Sequence, residues 1–292
     1  MRLFIFGIGY SSAATIRRLA GRAAWIGGTT RSAEKAARLQ AGGVHPFAFD
    51  GHSASTEITY ALKSATHVLV SIAPLESAPE GDHGDPVLAN YGALLSALRL
   101  PAAYLSTVGV YGDHGGAWVD ERTPCRPTSR RSVARLSAEA AWLRLGETGA
   151  PVSILRLSGI YGPGRNAFVN LADGTAKRLI KPGQVFNRIH VDDIAEAADK
   201  ALNARASGVF NITDDEPAPP QDVVTYAAAL MGIAPPPEQD YATADLSPMA
   251  RSFYGENKRV ANARSKADLG MVYAYPTYRT ALDALWQDGT WR

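Results

Sequence analysis

The stretch Leu3-Phe4-Ile5-Phe6-Gly7-Ile8-Gly9-Tyr10-Ser11-Ser12 passes from an apolar run through two glycines into small residues. Leu3 to Phe6, closed by glycine, has the pattern of a parallel strand buried on both faces. Ser11 to Ala20 follows with Ile16, Leu19 and Ala20 at helical spacing, and Gly21 stops it. Gly7 and Gly9 therefore fall in the turn between a first strand and a first helix. At such a turn one glycine permits the tight bend. The next lets the backbone approach a pyrophosphate at the positive end of the helix. Ser12 stands where G-x-G-x-x-G has its third glycine, and it is small enough for close packing of helix and strand. Together with Tyr10 and Ser11 these residues make a dinucleotide-binding turn.

The rest of the chain repeats the alternation. Strand-like runs recur at Ala24 to Ile26, Phe47 to Phe49, His67 to Ile72, Ala102 to Ser106 and Val152 to Leu157. Helical patterns lie between them at Ser32 to Gln40, Pro86 to Leu98 and Ser129 to Leu145. That order predicts an α/β fold, a doubly wound parallel sheet of the Rossmann type. After Tyr161 the texture changes. Gly162-Pro163-Gly164 and Lys181-Pro182-Gly183 are breakers, and prolines cluster at 217–220 and 235–237. Gly208 to Ile212 still reads as a strand, and Thr277 to Trp286 as an amphipathic helix. The expected division is residues 1–161 as the dinucleotide-binding domain, with returning segments near 188–213. Residues 162–292 then form a smaller, discontinuous substrate lobe.

Composition narrows the function classes. The 292 residues are 46% hydrophobic and 20% charged, an ordinary globular balance. A net charge of +2, with no Lys/Arg cluster, argues against a nucleic-acid footprint. The lone Cys125 excludes an internal disulfide framework and an all-cysteine metal site, and is expected to pack as a small apolar side chain. No His/Asp/Glu spacing suggests a metal. The N-terminus is not a signal peptide, and no segment approaches the ~20 apolar residues that span a bilayer. A cytoplasmic protein with a small-molecule substrate and no membrane partner is expected. Its oligomeric state is open, a homodimer among the options.

The end of the second strand bears on the cofactor. NAD sites place an acid there for the ribose hydroxyls, but Gly27-Gly28-Thr29-Thr30-Arg31-Ser32 offers none before Glu34. Arg31 stands just ahead of a helix whose positive end disfavours a cation unless an anion is close. A 2′-phosphate held by Thr30, Arg31 and Ser32 supplies that anion, so NADP is expected ahead of NAD. Asp50 could accept from the adenine amino group or simply form a turn.

Several segments together resemble the extended short-chain dehydrogenase/reductase family, the nucleotide-sugar epimerase and dehydratase group. These are Leu105-Ser106-Thr107-Val108-Gly109-Val110-Tyr111-Gly112, Leu155-Arg156-Leu157-Ser158-Gly159-Ile160-Tyr161-Gly162-Pro163-Gly164 and Arg188-Ile189-His190-Val191-Asp192-Asp193. Val209 to Ile212, Asn257 to Val260 and Leu269-Gly270 are similar to its C-terminal parts. The resemblance implies that Ser71, Ala73 and Pro74 line the ribose side of the cofactor and that Thr107 is the substrate-polarising hydroxyl. It also implies a Tyr-x-x-x-Lys pair one helix later. Aligning Glu139 with the acid that follows the lysine puts Arg135 at the lysine position and Arg131 at the tyrosine position. The tyrosine is missing.

A guanidinium stays protonated, so Arg131 cannot shuttle a proton near neutrality, though it can hold an oxyanion or a carboxylate. Arg135 is either a cofactor contact or part of a solvated face. Tyr111 and Tyr161, on loops at strand ends, are either candidates for the displaced acid or buried packing tyrosines. His190 is read as structural, and Asp192 and Asp193 as caps of a helix beginning near Ile194. Arg165-Asn166 and Gln184 to Arg188 are placed at the pocket edge. These residues imply an atypical NADP(H)-dependent oxidoreductase, or an epimerase or dehydratase, acting on a carbonyl or nucleotide-sugar-like substrate. The alternative is a catalytically silent NADP(H)-binding sensor or regulator.

Overall fold

Arg2–Phe6 forms strand β1, and its side chains alternate between two cores: Leu3 and Ile5 face one, Phe4 and Phe6 the other. The computed structural model describes residues 1–77, 83–246 and 248–292. From β1 the chain continues through α1 (Tyr10–Leu19), β2 (Trp25–Thr30), α2 (Ala33–Ala41), β3 (His45–Ala48), α3 (Thr56–Ser64) and β4 (His67–Val70). Then come α4 (Pro86–Leu98), β5 (Ala102–Thr107), a short 3₁₀ turn (Val108–Tyr111), β6 (Trp118–Val119), α5 (Arg130–Gly146), β7 (Val152–Leu157) and β8 (Gly159–Tyr161). The remainder is α6 (Ala167–Ala172), β9 (Arg178–Ile180), β10 (Arg188–His190), α7 (Val191–Asn203), β11 (Gly208–Ile212) and α8 (Pro220–Leu230). It ends with β12 (Glu238–Asp240), α9 (Pro248–Phe253), β13 (Arg259–Val260), α10 (Ala263–Asp268) and α11 (Tyr278–Gln287).

The central sheet has seven strands in the order β11-β7-β5-β4-β1-β2-β3, all parallel. Helices cover both faces, which is the doubly wound α/β architecture expected from the strand and helix alternation. On one face α1 and α7 pack, and Leu19, Ala197 and Ala201 share a core with Ile5, Leu105 and Leu155 of the sheet. The opposite face carries α3, α4 and α5, where Trp142 is fully buried among Tyr104, Ile154 and Tyr91. A smaller core stands apart from both, built by Phe168 of α6, Ala227 of α8 and Tyr278, Leu282 and Leu285 of α11.

Two local expectations need correction. β2 does not stop at Ile26 but runs through Gly27-Gly28 to Thr30, because it is paired on both sides, with β1 and with β3. Sheet context overrides the weak strand propensity of glycine. α3 was not expected, yet Ser55 caps it by accepting from the Ile58 amide at 3.1 Å, and Ile58, Ala61 and Leu62 bury one face. No helix among the described residues is long and apolar enough to cross a membrane.

Candidate active site

The glycine turn is fixed from three sides. Gly7 takes φ +85°, its amide donates to Thr29 Oγ1 at 2.8 Å, and its carbonyl accepts from Ser12 Oγ at 2.8 Å. A Cβ at Gly7 would stand 2.7 Å from Ile72 Cγ1, so the close approach of β1 and β4 ends requires glycine there. Gly9, by contrast, is extended, and a Cβ on it would meet nothing within 4 Å. It is the N-cap residue of α1, which has no side-chain cap and no acid in its first turn among the described residues. Free amides at a helix N-terminus beside open space form an anion site. The residues present therefore fit a dinucleotide pyrophosphate. The Tyr10 hydroxyl is engaged by the protein, donating to the Pro163 carbonyl at 2.8 Å.

Beyond β2, Thr30 Oγ1 accepts from the Ser32 amide at 3.3 Å, and Ser32 Oγ caps α2 by accepting from the Lys35 amide at 3.2 Å. Arg31 is exposed and makes no hydrogen bond or ion pair among the described residues. Sequence reasoning missed Lys35, whose ammonium donates to the Ile8 carbonyl inside the glycine turn. Its position in the first turn of α2 was the available signal. Asp50 Oδ1 accepts from the His52 amide at 2.9 Å and so stabilises a turn.

A cavity of about 1190 Å³ opens between the ends of β5 and β7 and the smaller core. Of the expected site residues, Ser11, Ser71, Thr107, Arg135 and Tyr161 lie on its wall. Gly7, Gly9, Tyr10, Ser12, Thr30 to Ser32, Asp50, Ala73, Pro74 and Tyr111 do not; the expected cofactor-binding set thus extends from the cavity across the β1–β3 half of the sheet.

Thr107 ends β5. Its Oγ1 accepts from the Gly109 amide at 3.0 Å, capping the 3₁₀ turn, which leaves the hydroxyl proton for another acceptor. A Cβ at Gly109 would stand 2.9 Å from Ser132 Oγ and 3.3 Å from Thr107 Oγ1, so glycine lets the first turn of α5 approach that threonine. Arg135, one turn further on, donates Nη1 to the Leu105 carbonyl at 2.7 Å and to the Tyr104 hydroxyl at 3.1 Å. It braces the end of β5, a positioning contact that the expected cofactor or catalytic role did not include. Arg131 is exposed on the cavity wall with its guanidinium 5.8 Å from the Phe253 ring centre. Glu139, which anchored the helix alignment, is buried, accepting from Arg156 Nη2 at 2.7 Å and Ser106 Oγ at 2.5 Å.

The two tyrosine candidates separate. Tyr111 is fully buried, away from the cavity wall; its hydroxyl donates to Asn211 Oδ1 at 2.8 Å and the Arg156 guanidinium lies over its ring. Burial pushes its phenol up to about 12. The expectation that Tyr111 could serve as the acid is corrected: a committed core hydroxyl cannot reach a substrate. Tyr161 lies on the cavity wall with a buried hydroxyl that has no partner among the described residues. Burial, then Asp214 and Asp193, drive that phenol far upward, so it stays neutral and keeps a proton to donate. Ser158 was overlooked as a site residue; it is on the same wall, and its buried Oγ is equally unpartnered.

His190 is the N-cap of α7, its Nδ1 accepting from the Asp192 amide at 3.3 Å. The helix thus starts at Val191, and His190 takes the capping place expected of the aspartates. Asp193 instead accepts from the Ala274 and Tyr275 amides at 2.8 and 3.1 Å, tying α7 to the C-terminal segment. Lys258 and Glu256, not anticipated, pair at 2.6 Å on the cavity wall. Among the described residues no His/Cys/Asp/Glu group is arranged to hold a metal ion.

Comparison with known proteins agrees with this geometry. Residues 92–213 match the profile of the NAD dependent epimerase/dehydratase family. A 3-diazoavenalumate denitrifying reductase from Streptomyces is 30% identical over 178 residues, which are 56% of this chain and 55% of that protein. The match thus spans little more than half of that relative. A functionally unknown conserved protein from Silicibacter pomeroyi is 44% identical across 99% of both chains, with a TM-score of 0.87. The human epimerase family protein SDR39U1, solved with NADPH, shares the fold at 19% identity, covering 99% of this chain and 100% of that one, with a TM-score of 0.74.

Proposed function

From the match of residues 92–213 to the NAD dependent epimerase/dehydratase family, we propose that the chain is a member of it, binds NADP(H) and transfers hydride at a substrate carbonyl, as a reductase, epimerase or dehydratase. Residues 1–161 hold the cofactor in this reading, and residues 162–292 contribute the substrate lobe. The observation that carries it is Thr107, on the wall of a large cavity with its hydroxyl proton uncommitted. The bound reduced nicotinamide supplies a hydride and, when oxidised, accepts one. Gly7, Gly9 and the α1 amides hold the pyrophosphate, with Ser11 and Ser71 at the cavity side. Thr30, Arg31 and Ser32, joined by Lys35, receive the 2′-phosphate.

Thr107 donates to the substrate oxygen and so favours charge developing there. Tyr161, a neutral phenol with no other partner, adds a second donor, and Arg131 provides fixed positive charge at the α5 end. The proton that completes the product hydroxyl comes from solvent water and is relayed through these hydroxyls, because Arg131 at the tyrosine position stays protonated. NADPH carrying deuterium at C4, incubated with a carbonyl library, tests the assignment: label is expected in a product, and its loss is expected in Thr107→Val.

Arg131 also favours a second reading, in which the protein binds NADP(H) as a sensor without turnover. Tight NADPH binding with no hydride exchange to any carbonyl establishes that alternative.

A further inference from the structure

Arg188, at the start of β10, brings a positive charge to the cavity wall with no ion pair among the described residues. Its Nη1 donates to the Phe186 carbonyl at 2.9 Å and the Ala218 carbonyl at 3.1 Å, and its guanidinium lies 5.9 Å from the Tyr278 ring centre. Two carboxyl groups act on it from a distance, Asp214 and Glu216. Glu216 is engaged by Arg279. Asp214 Oδ1 accepts from the Glu216 amide at 3.3 Å, while its Oδ2 is buried without a partner. Burial pushes the Asp214 carboxyl up to about 8, so near neutrality it supplies no full countercharge. A desolvated guanidinium satisfied only by carbonyls is costly, and an arriving anion relieves that cost.

Arg188 shares the cavity wall with a set of apolar side chains. Phe186, Pro220, Val223, Val224, Tyr278 and Leu282 form this set. The only carboxylate on the cavity wall among the described residues, Glu256, is already paired with Lys258. Asn166 and Asn187 on the wall spend their side-chain amides within the protein, so a sugar ring's hydroxyls would find chiefly Asn170, Ser158 and Tyr161 as partners. Apolar side chains beside an unpaired cation instead match a body with few hydroxyls that ends in an anion.

We propose that this end of the cavity binds the carboxylate of an apolar, ring-bearing organic acid, with Arg188 as its anchor and its distal part reaching toward Thr107. The proposal rests on the hydride-transfer reading and names the substrate class of that same site. Arg188 sets specificity here, while Thr107 contacts the reacting oxygen.

Calorimetric titration of the NADPH-saturated protein with cinnamate, cinnamamide and UDP-glucose tests it. Wild type is expected to bind cinnamate at least about tenfold more tightly than the amide, and Arg188→Met to lose that preference while still binding NADPH. Equal affinity for acid and amide, binding of neither, tighter binding of UDP-glucose, or an unchanged preference in Arg188→Met overturns the proposal. The wild-type comparison stands even if the variant fails to fold. NADPH titrated alone reports separately on the cofactor reading; if it does not bind, the acid-to-amide preference is read on the protein without it.

Discussion

The Tyr111 hydroxyl donates to Asn211 Oδ1 at 2.8 Å within the core, joining the turn after β5 to strand β11. Asn211 extends this link, its amide donating to Glu121 Oε1 at 2.7 Å and its Nδ2 to the Ala261 carbonyl at 3.1 Å. The bond makes Tyr111 a structural residue and leaves Tyr161 as the one of these two candidates on the cavity wall. Opposite effects follow for the two phenylalanine variants. Tyr111→Phe leaves a buried acceptor short of a donor and is expected to cost about 1–3 kcal/mol, read as a lower Tm, with hydride exchange largely retained. Tyr161→Phe removes a hydroxyl without a protein partner, so Tm holds while exchange falls on the order of 10²-fold. Equal losses of exchange in both would overturn the distinction.

Cofactor preference is read from heat stability. NADPH is expected to raise Tm clearly more than NADH does at equal concentration if, as proposed, Arg31 and Lys35 receive the 2′-phosphate. Arg31→Ala should narrow the difference, and adding Lys35→Ala should narrow it further. Equal shifts with both cofactors in the wild type would refute the 2′-phosphate assignment.

The parallel sheet was legible because each strand announces itself locally: an apolar run, a breaker, then a helix of period 3.6. The glycine turn was legible for the same reason, with Gly7, Gly9 and Ser12 falling between two clear elements. What escaped was decided by contacts across the chain. Tyr111 and Tyr161 look alike in sequence, each at the end of a strand. Only Asn211, 100 positions away, removes one of them from the site. Arg135 occupies the expected lysine position, but the Leu105 carbonyl and Tyr104 hydroxyl that engage it come from β5. Gly27-Gly28 reads locally as a loop and is a strand only because β1 and β3 flank it.

Buried titratable groups predict a pH profile. Burial lowers His190 to about 4, so its contribution is present above the unfolded value near 6.5 and is lost as pH falls toward 4. Burial raises Asp214 to about 8, so the folded protein binds its proton more tightly than the unfolded chain does. That contribution is full below the unfolded value near 3.9 and is lost as pH rises through 8. Between about 6.5 and 8 Asp214 acts with little opposition from His190, and Tm is expected to fall across that window. Asp214→Asn, which cannot ionise, should flatten it. A wild-type Tm that rises from pH 6.5 to 8 would contradict the assignment.

The two glycines of the turn make separable demands, and alanine distinguishes them. At Gly7 the backbone at φ +85° costs an alanine about 1–2 kcal/mol. The added Cβ also meets Ile72 Cγ1 at 2.7 Å, so Gly7→Ala should lower the Tm of the protein without cofactor. Gly9 is extended, with open space where a Cβ would stand, so Gly9→Ala should leave that Tm unchanged. Its methyl group nevertheless projects beside the uncapped amides of α1, where the pyrophosphate must approach the backbone. Gly9→Ala should therefore fold normally and lose most of the Tm increase produced by NADPH. If it keeps the full increase, the pyrophosphate does not lie against Gly9, and the placement of the dinucleotide on this turn fails.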